Sequence, residues 1–130
     1  MAAFTETPRN AMLDWLVGTA DPAATGTRYI TVFDGDPQGA GTEKINDISG
    51  SANRIDMTTA MAAAGSGSCA SDTDITITAS ATGSANVDHV AVYDNQTAGN
   101  LLASASVTLK SVMTGDSLKI LAGALTFSID

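Results

Sequence analysis

The chain has 130 residues, of which 44% are apolar, 5% aromatic and 15% charged, and its formal net charge is −8. The length predicts one domain that can bury a core of its own. The acidity and the six scattered basic residues argue against nucleic acid and anionic membranes as partners, because both require clustered Lys and Arg. The single cysteine excludes an intramolecular disulfide. No signal-peptide pattern opens the chain and no apolar run approaches about 18 residues, so folding in a reducing cytoplasm is expected.

The N-terminal segment is the only one with a helical pattern. Thr7 is the predicted N-cap, Pro8 fits the first helical position, and Gly18 follows the predicted end. The apolar residues between these signals are Ala11, Met12, Leu13, Trp15, Leu16 and Val17. They are too many for one narrow stripe, so the helix is expected to pack either on its own domain or on a neighbouring subunit.

Beyond residue 25 the pattern changes to short strands separated by turn residues. The predicted strands are residues 28–33, 43–48, 54–59, 73–79, 86–93, 101–109, 117–121 and 125–129, with a mobile small-residue loop at 62–71. Every second residue from Leu101 to Leu109 is apolar, and these residues are expected to share one face of the 101–109 strand. About eight short strands predict an all-β fold, a single β-sandwich or jelly-roll-like domain over residues 25–130, preceded by a helix and arm over residues 1–24.

No constellation in the sequence predicts an enzyme. His89 is the only histidine, and Asp88 is not expected to orient it, because consecutive strand residues point to opposite faces. Cys69 has no basic neighbour in sequence to lower its pKa, so a small buried or half-exposed thiol is expected. No cofactor is implied.

The acidic pair Asp34 and Asp36 flanks a glycine in the manner of a calcium-binding loop. The further acidic ligands of such a loop are missing and strands are predicted on both sides. A turn between strands is therefore the favoured interpretation, and a weak divalent cation site at a subunit junction stays open as the alternative.

Several segments resemble small bacteriophage structural proteins that are often labelled tail fibre proteins. The matching segments are FTETPRNAMLDWL at 4–16, YITVFDGDP at 29–37, HVAVYD at 89–94, GNLL at 99–102, GD at 115–116 and GALTFSI at 123–129. The chain departs from these proteins at residues 71–87, where they usually carry a longer section with an aromatic-Pro strand and a Trp-Gly pair.

The resemblance implies a non-enzymatic virion protein, assembled in the cytoplasm of a bacterial host and displayed on the outer surface of the particle. The leading hypothesis is a head decoration or cement protein that binds the major capsid protein and stabilises the capsid. The alternative is a tail or fibre-tip protein that binds tail proteins and takes part in host attachment. A non-viral carbohydrate-binding module is a third hypothesis, for which the sequence lacks a secretion signal and an aromatic platform.

The N-terminal helix is the predicted assembly element. Its candidate interface residues are Phe4, Met12, Leu13, Trp15 and Leu16. A homo-oligomer is expected, with a trimer as the first hypothesis, because capsid lattices offer three-fold sites and closed symmetry is the rule. In the alternative interpretation the helix only covers one open end of the sandwich.

Overall fold

The computed structural model describes residues 3–20, 26–80 and 83–128. Within these ranges the chain forms ten strands, two α-helices and one 3-10 turn at Thr58–Ala60. The helices are α1 (Glu6–Val17) and α2 (Ile45–Ser49). The strands are β1 (Ala3–Phe4), β2 (Tyr29–Asp34), β3 (Thr42–Glu43), β4 (Ile55–Asp56), β5 (Ser68–Ala70), β6 (Ile75–Thr78), β7 (Ala85–Tyr93), β8 (Leu101–Val112), β9 (Ser117–Ile120) and β10 (Thr126–Ser128). None of the described helices is long and apolar enough to cross a bilayer.

A six-stranded antiparallel sheet dominates the structure. Its strands lie in the order β1-β8-β7-β2-β3, and β4 pairs with β2 beside β3. Two smaller antiparallel pairs, β5 with β10 and β6 with β9, complete the described strands. The expected mostly-β fold with an N-terminal helix is therefore confirmed, and the strands do not close into a barrel.

The hydrophobic core lies between the large sheet and the smaller elements. Alternate residues of β2 and β7 supply the sheet side, including Ile30, Val32 and Val92, all buried. The opposite side comes from α2, β6 and other short elements, with Ile48 completely buried and Ile77 nearly so. The alternation predicted for β6 is observed, because its apolar residues are buried and its threonines exposed.

The start of α1 differs from the prediction. Thr7 is not the N-cap, because the helix already begins at Glu6 and the extended residue before it is Thr5. The Thr5 hydroxyl donates to the carbonyls of Leu101 and Leu102, and the Thr5 amide donates to the Leu102 carbonyl at 2.8 Å. These bonds to β8 set the start of the helix, and Pro8 costs no hydrogen bond because amides in the first turn have no partner within the helix.

The end of α1 agrees with the prediction. Gly18 has a positive φ of 77°, the conformation that glycine adopts most readily after a helix. Its amide donates to the Trp15 carbonyl, and the Thr19 amide donates to the Asp14 carbonyl at 2.9 Å. These two bonds satisfy carbonyls that would otherwise be left open at the helix end.

Two predictions in the middle of the chain were wrong. Residues 43–48 are not an edge strand: β3 ends at Glu43 and α2 follows, burying Ile45 and Ile48 on one helical face. Residues three apart share a face of a helix but lie on opposite faces of a strand, so burying both isoleucines requires the helix. Residues 62–71 contain β5, which pairs with β10. The predicted boundary between residues 24 and 25 and the final residue of the predicted last strand, Ile129, lie outside the described residues.

Candidate functional site

Helix α1 exposes an unusual amount of apolar surface. None of its twelve residues is buried. The exposed fraction is 57% for Leu13, 59% for Trp15 and 71% for Leu16. Apolar surface concentrated on one short helix is a mark of a surface that another molecule covers.

The helix lies over one end of the large sheet, where β7 ends and β8 begins. An open, mostly apolar groove of about 550 Å³ runs between α1 and the domain. Met12 and Trp15 line it from the helix, while Met57 and Phe127 line it from the domain. We call this the α1 groove. Cys69, a half-buried thiol, also lines it, in agreement with the environment predicted for that residue.

The five predicted interface residues fall into two groups, which differ in whether they line the α1 groove. Phe4 is half-buried and stacks on Phe127 with ring centroids 6.4 Å apart, so it already packs within the chain. Met12 and Trp15 share the α1 groove with Phe4. Leu13 and Leu16 are not in the groove and are directed to solvent. The structure thus brings three of the five residues together and leaves the other two as a separate exposed ridge.

A second exposed apolar surface was not predicted. Leu101 to Ala105 are buried or half-buried, but Val107 and Leu109 are 39% and 60% exposed. The prediction that alternate residues from Leu101 to Leu109 share one face was wrong because the β7–β8 register shifts between Val87 and His89. Beyond the shift Lys110 pairs with the buried Val87, and Val112 rather than Leu109 packs in the core. Met113 and Leu121 are exposed in the same region.

A groove of about 380 Å³ lies beside these residues, between the second half of β8 and β9. We call it the β8–β9 groove. Its apolar lining is Val87, Val90, Val107, Leu118, Ile120 and Leu121. Within the described ranges, every large apolar side chain that remains exposed belongs either to α1 or to the region around this groove.

A buried charged cluster lies on the face of the large sheet that points away from the hydrophobic core. Arg54 is only 6% exposed and binds Glu43 through two parallel hydrogen bonds, Nε to Oε1 at 2.8 Å and Nη2 to Oε2 at 3.0 Å. The Thr31 hydroxyl donates to the same carboxylate at 2.7 Å. The guanidinium also lies 3.6 Å from the centroid of the Tyr93 ring. Such a two-pronged pair is the geometry in which Arg and a carboxylate interact most strongly.

The surroundings of this cluster shift two pKa values. Burial on its own would raise the pKa of Glu43, but hydrogen bonds from Arg54 and Thr31 and the positive charge of Arg54 outweigh it and leave that pKa below its ordinary value. Burial raises the pKa of Tyr93, an effect that the nearby Arg54 charge only partly offsets. The carboxylate is therefore held ionised and paired, which is a structural arrangement.

Arg54 also holds the loop between β7 and β8. Its Nη1 donates to the carbonyls of Asn95 and Ala98 at 3.1 and 2.6 Å, and its amide donates to the carbonyl of Gln96 at 3.0 Å. The guanidinium thus makes four hydrogen bonds, two to the Glu43 carboxylate and two to loop carbonyls. The loop over residues 94–99 is consequently tied to the sheet by one buried side chain.

Asp94 and Asn100 close the same loop from its two ends. The Asp94 carboxylate accepts the Asn100 amide at 2.7 Å and the Asn100 side chain at 2.9 Å. Gly99 has a φ of 85°, and a Cβ there would lie 2.2 Å from an Asp94 carboxylate oxygen. Burial opposes ionisation of Asp94, yet the Asn100 hydrogen bonds lower its pKa. The Asp94 and Gly-Asn segments that carried the sequence resemblance are therefore the two halves of one loop closure.

The prediction that Asp88 cannot orient His89 was wrong. The β7–β8 pairing is irregular between Val87 and His89. Val87 and Val90 both face the core, so Asp88 and His89 fall together on the other side of the strand. Asp88 Oδ1 lies 2.7 Å from His89 Nδ1 and also accepts the Gly35 amide at 2.7 Å. Hydrogen bonds from His89 and then Gly35 lower the pKa of Asp88.

The segment 34–36 leads from the end of β2 into a turn over residues 37–40. Gly35 has a φ of 87°, and Asp36 Oδ1 accepts the Gln38 amide at 2.9 Å. The main-chain carbonyl of Asp36 accepts the amides of Gly39 and Gly41. Among the described residues no group of three or more His, Cys, Asp or Glu side chains is placed to hold a metal ion.

Comparison with known proteins identifies the family. Residues 3–128 match the family described as Podophage GP4 fiber I protein gp80. No curated protein matches the chain. The match covers the helix, the large sheet and both smaller sheets, and it agrees with the resemblance seen in the sequence. The chain therefore belongs to the Podophage GP4 fiber I protein gp80 family and is a bacteriophage virion structural protein.

Proposed function

We propose that the protein is a fibre component on the outside of the virion, that it binds other tail proteins and takes part in host attachment, and that it does so without catalysis. The observation that carries this proposal is the family match over residues 3–128, because the family description names a fibre protein. The match favours the tail and fibre hypothesis over head decoration, which the sequence had ranked first.

The surface of the chain supports an assembly role. Helix α1 offers apolar side chains that the chain itself does not cover, and the loop over residues 94–99 is rigidly held beside it. A fixed loop next to an assembly surface suits a protein that must be anchored on one side and present a defined surface on the other. The net charge of −8 is compatible with an exposed position away from the packaged genome.

A particle experiment tests the proposal against head decoration. Virions that lack the protein should adsorb to host cells more slowly, while their heads should release DNA at the same temperature as those of intact virions. Adsorption would be measured by depletion of free phage, and head stability by dye access to DNA during heating. Antibody labelling of intact particles should mark the tail.

The opposite pair of results would contradict it. Heads that release DNA at a lower temperature, with normal adsorption and label over the capsid, would make the protein a head decoration protein. Adding back the purified protein controls for indirect effects of its loss, because adsorption should then recover.

A further inference from the structure

The two exposed apolar surfaces lie towards opposite ends of the same strand pair. The α1 groove is lined by residues where β7 ends and β8 begins, such as Asp94 and Leu102. The β8–β9 groove is lined by the first half of β7 and the second half of β8. From Leu102 to Leu109 the strand advances about 24 Å, at roughly 3.4 Å per residue.

Helix α1 cannot fill the β8–β9 groove of its own chain. Hydrogen bonds from Thr5 to Leu101 and Leu102 fix its first residue at the start of β8. Met12 and Trp15, further along the helix, still line the groove at that same end. A helix of twelve residues spans about 18 Å. An α1 helix that covers the β8–β9 groove must therefore belong to another copy of the chain.

The two surfaces complement one another in shape and charge. One is a convex helical ridge with Leu13 and Leu16 directed to solvent, and the other is a concave apolar groove. The helix carries two carboxylates and one guanidinium, from Glu6, Asp14 and Arg9. The groove instead includes two of the six basic residues of this acidic chain.

These two lysines have little compensation within their own chain. Among the described residues Lys110 has no carboxylate within ion-pair distance, and Lys119 has only Asp74 at 3.7 Å, with both side chains about half exposed. In a chain of net charge −8, the groove is thus a place where an acidic surface of a second copy meets positive rather than negative charge.

We propose that α1 of one copy docks in the β8–β9 groove of a second copy, in a head-to-tail contact between identical chains. Leu13 and Leu16 enter the groove, and the acidic helix residues face Lys110 and Lys119. Such a contact uses a different surface on each partner, so it closes into a ring or continues as an open series. The inference deepens the proposed fibre function by naming the partner of the α1 surface, and it rests on that function only in treating this surface as an assembly surface.

Two defective variants test the contact by complementation. Leu16→Glu damages the helix surface and Leu121→Glu damages the groove, and both positions are exposed, so both variants should fold. Each alone should associate at least about tenfold more weakly than the wild type, the size expected of a central interface residue. Mixed together, they should form a one-to-one pair, because the intact helix of one fits the intact groove of the other. Sedimentation velocity would measure the association.

Other outcomes would overturn the proposal. A wild-type chain that stays monomeric up to millimolar concentration, or two variants that associate as well as the wild type, would exclude the contact. A helix variant that fails while Leu121→Glu associates normally would point to a helix-to-helix contact instead. Asn46→Glu, an exposed position on α2 outside both grooves, is the matched control and should associate normally.

A second readout separates this inference from the proposed function. Virions that lack the protein would be assayed for adsorption beside the solution measurements. Normal head-to-tail association in solution with no effect of losing the protein on adsorption would refute the fibre function and leave the contact standing. Failed complementation with an adsorption defect in virions that lack the protein would refute the contact and leave the function standing.

Discussion

The Arg54 cluster and helix α1 differ in which side chains they bury and which they expose to solvent. Around Arg54 the chain buries charge, and each polar group there has a partner: the guanidinium binds Glu43 and two loop carbonyls, and Thr31 binds the same carboxylate. Along α1 the chain exposes apolar side chains and buries none of them. The polar groups of the Arg54 cluster find their partners within one chain, whereas the apolar surface of α1 is left uncovered by its own chain.

This difference suggests that the Arg54 cluster stabilises the folded monomer and that α1 serves association with other molecules. A buried charge without a partner costs several kcal/mol, so we expect the Arg54 cluster to stabilise the fold of its own chain. An exposed apolar ridge gains free energy when another surface covers it. Substitutions in the first region should therefore affect the monomer, and substitutions in the second should affect only the assembly.

A large effect on the monomer is expected for Arg54→Met. The change leaves Glu43 half-buried without its counter-charge and releases the carbonyls of Asn95 and Ala98. The free energy of unfolding should fall by about 3 kcal/mol, the lower end for breaking a buried ion pair. Urea denaturation of the purified chain would measure it. Arg9→Met on the exposed face of α1 is the control and should change stability by less than about 0.5 kcal/mol.

If Arg54→Met proved as stable as the control, the contrast between the two regions would fail. The loop over residues 94–99 should also be cleaved more readily by proteases in Arg54→Met, because the Arg54 side chain supplies two of the hydrogen bonds that hold it.

A paired truncation sharpens the same contrast. Ile48→Ala removes a completely buried side chain of α2 and should cost about 2–5 kcal/mol. Trp15→Ala removes a much larger side chain that is 59% exposed, so its cost to the monomer should be under about 1 kcal/mol. Thermal unfolding of dilute protein compares the two. A greater loss for Trp15→Ala would mean that α1 simply covers the domain, as the alternative interpretation of the helix held.

Regular patterns made much of the fold predictable. The alternation in β6 and the glycine after α1 fixed those elements, because each signal depends on neighbours in sequence. The start of α1 was not predictable, since Thr5 is held by β8, nearly a hundred residues away. The exposure of Leu109 was missed because the shift in the β7–β8 register changes which residues of β8 face the core, and simple alternation does not mark such a shift.

The same distinction, between signals local in sequence and contacts made only in the folded chain, explains which functional features were predicted. The apolar excess of α1 was visible in the sequence, so the helix was identified as a candidate interface. The Arg54 cluster was invisible, because Thr31, Glu43, Arg54 and Tyr93 meet only when three strands and a loop are assembled. The pairing of Asp88 with His89 depended on an irregularity in β7 that no residue pattern marks.

A smaller effect is expected on the acid side of the stability profile. The folded-state pKa of Glu43 is lowered, so its contribution to stability is complete above the unfolded-state pKa and is lost as the pH falls through the folded-state value. Glu43→Gln should therefore lose less of its remaining stability than the wild type between about pH 5 and pH 3. Thr31→Val, which removes one hydrogen bond to the carboxylate, should lie between them. Equal pH slopes for all three proteins would rule out this role of Glu43.

The smallest effect concerns catalysis, where none is expected. Asp88 and His89 are placed like two members of a hydrolytic triad, with 2.7 Å between carboxylate and imidazole. Ser106 faces His89 across the β7–β8 ladder, but no hydrogen bond joins its hydroxyl to the imidazole in the described part of the chain. Asp88 also binds the Gly35 amide, which gives the pair a structural task at the 34–36 segment. Purified protein should hydrolyse ester, peptide, glycan and phosphate substrates only at the buffer rate, and His89→Ala should leave that rate unchanged. A turnover that disappears both in His89→Ala and in Ser106→Ala would show that the triad operates and that the non-enzymatic proposal is wrong.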